Sequence, residues 1–333
     1  MSTNTCVQSK VPSPLFILRP TIDSSVTALC FVELKGEHYL ITGFECGQIA
    51  KWSLKTFRCQ NSISNENSKV LNLISLNSKE LFLSHHKSGP ILVYDFEFQI
   101  IKSFKASSFT FCKCHLLNDS SIYLSFPSEK NLSLIEIVNF ETGKQLCNVG
   151  VNDKKYGACL TTALIKHETS HNYFLLIGYE SGILTLFKIN FESNFSELIN
   201  ELMCFENEMI VCCDYNPYKN LGVCGSVGDQ IVNWCLNDKF ELSLNRKIKI
   251  TNPGILSCAI RPDGKIIATG GSDNRIRLLA LKSLKPLVVL DKHKQPVEFV
   301  LFSNQINCHY FDGFMLAAAS RDKTITIWSL YNQ

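Results

Sequence analysis

A short pattern of residues recurs seven times along the chain and restricts its fold more than any other feature. In each copy a tight-turn residue is followed two places later by Ile or Leu and five places later by a large apolar residue. The turn-plus-five residues, spaced 41 to 52 residues apart, are Trp52, Tyr94, Ile135, Phe187, Trp234, Leu279 and Trp328. The turn-plus-two residues are Ile49, Ile91, Leu132, Leu184, Ile231, Ile276 and Ile325. Self-similarity at this period predicts an all-β, seven-bladed β-propeller of the WD40 type.

Each repeat is predicted to form one blade of four strands. In the sixth repeat, apolar stretches at 255–260, 265–270, 276–281 and 286–290 are separated by turns rich in Pro, Asp, Asn and Gly, which favour chain reversal. The same order of stretches and turns places the starts of the seven blades near Val26, Val70, Phe111, Thr161, Met209, Ile255 and Val297. A single propeller is therefore expected to fill residues 1–333.

The seventh repeat contains only three strand-like stretches, near 297–302, 314–319 and 324–330. At the other end of the sequence, the apolar segment 15–19 belongs to no repeat. Pairing of this segment with 324–330 would complete the last blade and cover its exposed edge. We therefore expect a ring that is closed by an N-terminal strand.

The charge and cysteine content disfavour several classes of function. The net charge is +3, whereas direct binding of nucleic acid usually needs a strongly basic face. No apolar run reaches the roughly 18 residues of a membrane span, and the polar start lacks the order of a secretory signal. We expect a soluble intracellular protein with no direct contact to nucleic acid or membrane, whose 15 cysteines are reduced thiols.

Two groups of residues resemble reactive sites in residue type alone. Cys112, Cys114 and His115 are potential zinc ligands, but no pair of CxxC motifs accompanies them. A second group, with the residue types of a catalytic triad, consists of His293, Ser320 and Asp322. Its spacing fits a single blade, and no nucleophile elbow is present. A metal site in the first group remains the alternative, but we expect no metal, no cofactor and no enzymatic activity.

WD-type blades often contain a buried network of His, Ser or Thr, Asp and Trp that locks their inner strands together. The seventh repeat offers a candidate for each position: His293, Ser320, Asp322 and Trp328. Asp273 holds the turn position in the sixth repeat, and Trp52 and Trp234 hold the Trp position in the first and fifth. We therefore predict a structural role for these residues.

Several segments resemble one particular WD-repeat family. Residues 251–255 read TNPGI, followed by IRPD at 260–263 and KIIAT at 265–269, and the chain has FILR at 16–19 and WSLY at 328–331. In these segments, and over a length from about Pro14 onwards, the chain resembles the family of the fungal ASTRA-associated protein and its animal counterpart, the G-protein beta subunit-like protein. The second and third repeats depart most from that family.

The resemblance implies a non-catalytic scaffold subunit of an ASTRA-like complex. Its implied partners are Tel2-like and Tti-like co-chaperones, the phosphatidylinositol-3-kinase-like kinases that these help to mature, and other ASTRA subunits. It also implies a link to chromatin remodelling in the nucleus, with the cytoplasm as a second location. The candidate partner-binding loop consists of Thr251, Asn252, Pro253 and Gly254. The alternative is that this loop only sets the angle at which the chain enters the sixth blade.

Two other classes of propeller protein are alternatives. A G-protein beta-like signalling subunit is disfavoured because residues 1–20 contain Pro12 and Pro14 and no heptad repeat. A ubiquitin-ligase or histone-peptide adaptor would need an arginine cluster or an aromatic cage at the mouth of the central channel. Arg261 and Arg321 lie in turn regions, but two arginines do not make a cluster.

Overall fold

Seven four-stranded antiparallel sheets form a closed ring, as the repeat pattern predicts. The computed structural model describes residues 12–64, 68–106, 110–167 and 172–331. Each sheet is one blade, and we name its strands a to d from the central channel outwards. Strand a of every blade packs against strand a of the next, and the seventh packs against the first. Within the described ranges, no helix has the length and apolar character needed to cross a bilayer.

The first four blades follow one another along the chain. Blade 1 contains Val26–Leu34, Glu37–Phe44, Ile49–Ser53 and Arg58–Ile63. Blade 2 contains Val70–Leu76, Leu81–His86, Ile91–Asp95 and Ile100–Phe104, with a 3-10 turn at Asn77–Lys79. Blade 3 contains His115–Asn118, Ile122–Pro127, Leu134–Asn139 and Gln145–Gly150. Blade 4 contains Cys159–Lys166, Tyr173–Tyr179, Ile183–Asn190 and Phe195–Met203.

The last three blades complete the ring. Blade 5 contains Ile210–Asn216, Leu221–Ser226, Gln230–Leu236 and Leu242–Lys249. Blade 6 contains Ile255–Ile260, Ile266–Gly271, Ile276–Ala280 and Pro286–Leu290. Blade 7 contains Val297–Phe302, Met315–Ser320, Ile325–Ser329 and the N-terminal strand Phe16–Leu18. A hairpin of Ile306–Cys308 and Phe311–Gly313, which the repeat pattern did not predict, lies between strands a and b of blade 7.

The hydrophobic core lies between neighbouring sheets, so strands b and c are covered on both faces. All six residues of Ile266–Gly271 are buried, whereas five of the six residues of the outer strand Arg58–Ile63 are exposed. Strands buried on both faces are expected to be continuously apolar rather than alternating. This explains why the inner strands stand out in the sequence and the polar outer strands do not.

The N-terminal strand closes the ring in the predicted way. Phe16–Leu18 pairs antiparallel with Ile325–Ile327, and the Leu15 amide donates to the Ile327 carbonyl at 2.7 Å. Leu18 is 1% exposed, and the Phe16 ring stacks on Phe57 of blade 1 with 4.5 Å between centroids. The segment therefore covers the edge of blade 7 and also contacts the next blade.

The predicted alignment of blade 3 is wrong by three residues. In six blades strand c carries a register shift against strand d, and the residue after the shift is Trp52, Tyr94, Val138, Phe187, Trp234 or Leu279. The position equivalent to Trp52 in blade 3 is thus Val138 rather than Ile135. Ile135, and not Leu132, occupies the turn-plus-two position, and Leu132 is 41% exposed. The turn between strands b and c is longer there, so counting from the turn residue fails.

Three blade starts also differ from the prediction. Strand a begins at Cys159 in blade 4 and at Ile210 in blade 5, each within two residues of the expected position. In blade 3 it begins at His115, four residues after Phe111. The preceding segment resembles a strand because Cys112 and Cys114 are both buried, but the Cys114 amide donates to the His85 side chain, at Nδ1 and 3.1 Å, instead of to a backbone carbonyl.

Candidate interaction surface

Two sets of connections lie on the same face of the ring. Because successive strands are antiparallel, the turns between strands b and c and the loops from strand d to the next strand a all lie at the same end of the blades. We call this end the upper face. It contains the TNPG loop, the turn at Asp322 and the upper opening of the central channel.

The TNPG loop, residues 251–254, is held to the upper turn of blade 6 by hydrogen bonds. Asn252 Nδ2 donates to Asp273 Oδ2 at 3.0 Å, and the Ser272 hydroxyl donates to the Pro253 carbonyl at 2.8 Å. The Ser272 amide donates to the Gly254 carbonyl at 2.8 Å. The loop's amide side chain and two of its carbonyls are therefore used internally.

Gly254 occupies a position that requires glycine. Its φ is +96°, and a Cβ at this residue would lie 2.2 Å from Ser272 Oγ. Both observations exclude a larger residue without rearrangement of the loop. Thr251 and Pro253 are exposed, whereas Gly254 is buried and Asn252 is half-buried. The surface that this loop offers to a partner consists mainly of the Thr251 and Pro253 side chains.

Asp273 is the electrostatic centre of this upper turn. Burial opposes ionisation of its carboxyl, but hydrogen bonds from Arg277 and Asn252 outweigh that effect and lower the pKa of Asp273. The Arg277 guanidinium is bidentate, with contacts of 3.0 and 2.5 Å to the two carboxylate oxygens. In blade 6 an Asn and an Arg thus take the place of a His as partners of the turn aspartate.

Blade 7 contains a continuous hydrogen-bonded chain from its tryptophan to its turn aspartate. Trp328 Nε1 donates to Thr326 Oγ1 at 2.9 Å, and Thr326 Oγ1 lies 2.9 Å from His293 Nε2. His293 Nδ1 lies 3.1 Å from Asp322 Oδ2. A neutral imidazole with its proton on Nδ1 satisfies all of these groups. These hydrogen bonds join strand c of blade 7, the loop before its strand a and its upper turn.

Ser320 contacts the network through the turn and not through the imidazole. Its hydroxyl donates to the Gln295 carbonyl at 2.9 Å and accepts from the Asp322 amide at 3.1 Å. The hydroxyls that contact His293 belong to Thr326, at 2.9 Å from Nε2, and to Thr324, at 3.3 Å from Nδ1, and sequence reasoning missed both. The position two residues before Trp328 would have indicated Thr326, because alternate residues of a strand share a face. A serine that does not contact the imidazole is not arranged as an activated nucleophile.

The other two tryptophans are held differently. Trp52 Nε1 donates to Thr42 Oγ1 at 3.1 Å, across strands b and c of blade 1. Trp234 Nε1 has no hydrogen-bond partner among the described residues, and its ring stacks on Tyr215 at 5.4 Å with 2° between the planes. A Cβ on Gly222 would lie 2.1 Å from Trp234 Cζ2. Blade 5 therefore accommodates its indole by aromatic stacking over a glycine.

The two turn-region arginines are already engaged within the ring. Arg261 is 3% exposed, and its guanidinium pairs with Asp263 at 2.8 Å and donates to the carbonyls of Leu330 and Tyr331. This joins the lower turn of blade 6 to the end of blade 7. Arg321 pairs with Glu298 at 2.5 Å on the upper face. Only Arg321 lies at the upper mouth of the channel.

A carboxyl group, that of Asp214, lies in the interior of the channel. Asp214 of blade 5 accepts hydrogen bonds from the amides of Ile260 and Tyr215 at 2.6 and 2.8 Å. Burial raises the pKa of Asp214 to about 6, although these amides counteract the shift. Within the described parts of the chain, no group of three or more His, Cys, Asp or Glu residues could hold a metal ion. Cys112, Cys114 and His115 are therefore not arranged as a zinc site.

Comparison with known proteins finds both the WD repeat and relatives that are similar over nearly the whole chain. The family described as WD domain, G-beta repeat matches residues 245–278 and 284–329. Guanine nucleotide-binding protein subunit beta-like protein 1 of Mus musculus is 32% identical over 330 residues, covering 96% of this chain and 97% of the mouse protein. ASTRA-associated protein 1 of Schizosaccharomyces pombe is 22% identical over 388 residues, covering 96% of this chain and all of the yeast protein.

A second yeast relative extends the same relationship. ASTRA-associated protein 1 of Schizosaccharomyces japonicus is 22% identical over 377 residues, again across 96% of this chain and the whole relative. These alignments cover 96% of this chain, so the similarity is not confined to residues 245–278 and 284–329, which match the common WD pattern. The chain therefore belongs to the WD-repeat family of guanine nucleotide-binding protein subunit beta-like protein 1 and ASTRA-associated protein 1.

Proposed function

We propose that this protein is a non-catalytic scaffold subunit of an ASTRA-like complex. In this role it binds Tel2-like and Tti-like co-chaperones, takes part in the maturation of phosphatidylinositol-3-kinase-like kinases, and is linked to chromatin remodelling in the nucleus, with a second pool in the cytoplasm. The observation that carries the proposal is the match to ASTRA-associated protein 1 across 96% of this chain. The yeast protein's name states that it associates with ASTRA.

The architecture supports a scaffold rather than an enzyme. A ring of seven sheets is rigid and offers separate surfaces on its two faces and its circumference, which suits the simultaneous binding of several large partners. The residue types that suggested a catalytic triad serve the packing of blade 7, where Ser320 contacts the Gln295 carbonyl and not His293. A scaffold function uses this stable ring without requiring a reactive group.

A G-protein beta-like signalling role is the second candidate, because the mouse relative carries that name. The structure favours it less, since Phe16–Leu18 forms the outer strand of blade 7. Residues that complete the ring are not free to coil with a gamma subunit.

Affinity purification of the tagged full chain from its own cells, followed by mass spectrometry, tests the proposal. Recovery of Tel2-like and Tti-like proteins and of kinases of the phosphatidylinositol-3-kinase-like class is the expected result. Recovery of a gamma subunit, or of a cullin adaptor, in place of these proteins would overturn it. A chain lacking residues 1–20, which removes the outer strand of blade 7, is the matched bait that should lose the specific partners.

We also propose that the exposed side chains of the TNPG loop form part of this partner interface. The double variant Thr251→Ala and Pro253→Ala changes exposed atoms and retains the Pro253 carbonyl that accepts from Ser272. We expect it to keep its fold and to recover less co-chaperone. Undiminished recovery would remove the loop from the interface. Asn252→Ala is the comparison for a structural role, since it removes the contact to Asp273.

A further inference from the structure

The upper opening of the central channel is an exposed apolar basin of about 270 Å³. Its walls are formed by residues near the start of strand a in several blades, among them Leu71, Leu160, Val211 and Leu256. Three large apolar side chains at this opening are strongly exposed: Phe111 at 57%, Val227 at 46% and Met209 at 37%. Exposed apolar side chains that cluster on a concave surface indicate a binding site, whereas single apolar side chains scattered over a surface do not.

Lys113 is the cation of this basin that forms no ion pair with a carboxylate of the described residues. It also lines the cavity directly below, which has a volume of about 230 Å³, so it lies between the mouth and the interior. Its Nζ is 3.9 Å from the centroid of the Phe299 ring. None of the carboxylates in the described part of the chain forms an ion pair with it. Desolvation lowers the pKa of Lys113, although the negative charge of Glu298 counteracts part of the shift.

The other charged groups described at the mouth are three cations and one carboxylate, Glu298. Lys69 and Arg321 both pair with Glu298, at 3.2 and 2.5 Å. Lys87 lies over the exposed Phe111 ring, with its Nζ 4.0 Å from the centroid. Deeper in the channel, the Asp214 carboxylate accepts from two backbone amides. The mouth therefore has a surplus of positive charge, concentrated where Lys113 and Lys87 stand beside aromatic rings.

We propose that the channel mouth, defined here by Phe111, Lys113, Met209, Val211 and Leu256, binds an extended segment of a protein partner that inserts one Asp or Glu side chain towards Lys113. Apolar residues that flank this carboxylate in the segment pack on Phe111 and Met209. The cavity has room for a few side chains but not for a folded domain. The site does not depend on membership of an ASTRA-like complex, because it rests on the chemistry of the mouth alone.

The number of available cations favours a carboxylate over a phosphate. Recognition of phosphorylated side chains generally uses a cluster of arginines with several charge-assisted hydrogen bonds. Here the mouth's arginine shares Glu298 with Lys69, and among the described cations that line the channel Lys113 is the one with no carboxylate within ion-pair distance. One ammonium beside an apolar wall matches a singly charged group. A carboxylate would also replace part of the hydration that Lys113 lost on folding.

The placement of Lys113 is more consistent with binding than with stability. An unpaired ammonium that has been partly removed from water destabilises the fold unless another group compensates. We therefore expect Lys113→Met, which keeps the apolar length of the side chain, to melt at the same temperature as the natural chain or at a higher one. A lower melting temperature would indicate a structural role and contradict the proposal. Thermal unfolding followed by circular dichroism measures this.

Binding is tested with the purified full chain and immobilised peptide pools. The first pool has Glu fixed at the centre of randomised positions, and matched pools have Gln or phosphoserine at that position. We expect capture on the Glu pool above the Gln pool. A peptide sequenced from the bound fraction is then measured by fluorescence anisotropy. Lys113→Met should weaken its binding at least about tenfold, the loss expected for one charge-assisted contact, and Lys113→Arg should retain most of it.

The controls separate this site from general attraction to a basic protein. Lys282 is exposed on the lower turn between strands c and d of blade 6. Its variant Lys282→Met removes the same charge and should bind like the natural chain. Equal capture on the Glu and Gln pools, preference for the phosphoserine pool, no capture on any pool, or equal weakening by both variants would each overturn the proposal.

Discussion

Blades 5 and 7 hold a tryptophan at the same position by different means. Trp328 lies at the end of a polar chain through Thr326 and His293 to Asp322. Trp234 Nε1 has no hydrogen-bond partner in the described part of the chain, and its ring stacks on Tyr215. The residue that pairs with the tryptophan on strand b differs accordingly. It is Leu316 in blade 7 and Gly222 in blade 5.

The comparison teaches that the blade position requires a large apolar side chain but not one particular network. In blade 7 polar groups fix the orientation of the indole, and the buried groups satisfy one another. In blade 5 shape fixes it, because Gly222 leaves room for the ring to lie against strand b. Blade 7 also accepts a strand from the other end of the sequence, and its polar network holds strand c, with which that strand pairs, to the loop before strand a.

The largest expected effect concerns the N-terminal strand of blade 7. Deletion of residues 1–20 removes the strand Phe16–Leu18, its ladder to Ile325–Ile327 and the burial of Leu18. Loss of one buried Leu and several backbone hydrogen bonds should cost on the order of 5 kcal/mol and expose a strand edge. Urea unfolding and size-exclusion chromatography measure the stability loss and the aggregation.

A chain that lacks only residues 1–11 is the control for shortening, because it retains the closing strand. An unchanged melting temperature after deletion of residues 1–20 would mean that the ring does not depend on this closure. The contrast between the two deletions therefore isolates the contribution of the strand itself.

The next effect concerns blade 5. Gly222→Ala places a Cβ 2.1 Å from Trp234 Cζ2, so the indole must leave its stack on Tyr215. We expect a loss of about 3 kcal/mol, the upper part of the range for overpacking a core. Near-ultraviolet circular dichroism and urea unfolding follow the ring environment and the free energy of unfolding.

Gly89→Ala is the matched glycine control, since the nearest heavy atom to its added Cβ is 3.1 Å away. It should cost far less than Gly222→Ala. Equal losses in the two variants would mean that the contact with Trp234 is not what requires a glycine at position 222.

The sequence alone predicted some features of the ring and missed others. The ring was predictable because residues close together in the sequence define each repeat. Its closure was predictable because the apolar segment 15–19 belongs to no repeat and the seventh repeat lacks a fourth strand. Val138 was missed because the longer turn before strand c of blade 3 shifts the count. Lys113 and the channel mouth were missed because their residues come from distant blades, and only the closed ring brings them together.

The polar chain of blade 7 predicts a dependence of stability on pH. Burial opposes ionisation of Asp322, but hydrogen bonds from His293 and Thr324 outweigh it and lower the pKa of this carboxyl. A lowered folded-state pKa contributes stability above the unfolded pKa, near pH 4, and this contribution is lost as pH falls through the folded-state value. The free energy of unfolding of the natural chain should exceed that of Asp322→Asn by about 2 kcal/mol at pH 7. This difference should become smaller below about pH 4.

Urea unfolding at pH 7, 5 and 3 measures that gap. Asp238 lies on an exposed turn, so Asp238→Asn is the matched control and should show no comparable loss at pH 7. A gap between the natural chain and Asp322→Asn that stays constant down to pH 3 would contradict the assignment of this stability to the ionised carboxylate.

The smallest effect concerns the aromatic stack of blade 5. Tyr215→Leu keeps an apolar side chain but removes the ring that lies 5.4 Å from Trp234. Stacked aromatic pairs contribute about 1 kcal/mol beyond their buried area, and a loss of that size is expected in urea unfolding. Tyr215→Phe keeps the stack and removes only the hydroxyl that donates to Asn220 at 2.8 Å. If the Phe variant loses as much stability as the Leu variant, the hydrogen bond to Asn220 and not the stack holds Tyr215 against the indole, and blade 5 then depends on polar contacts as blade 7 does.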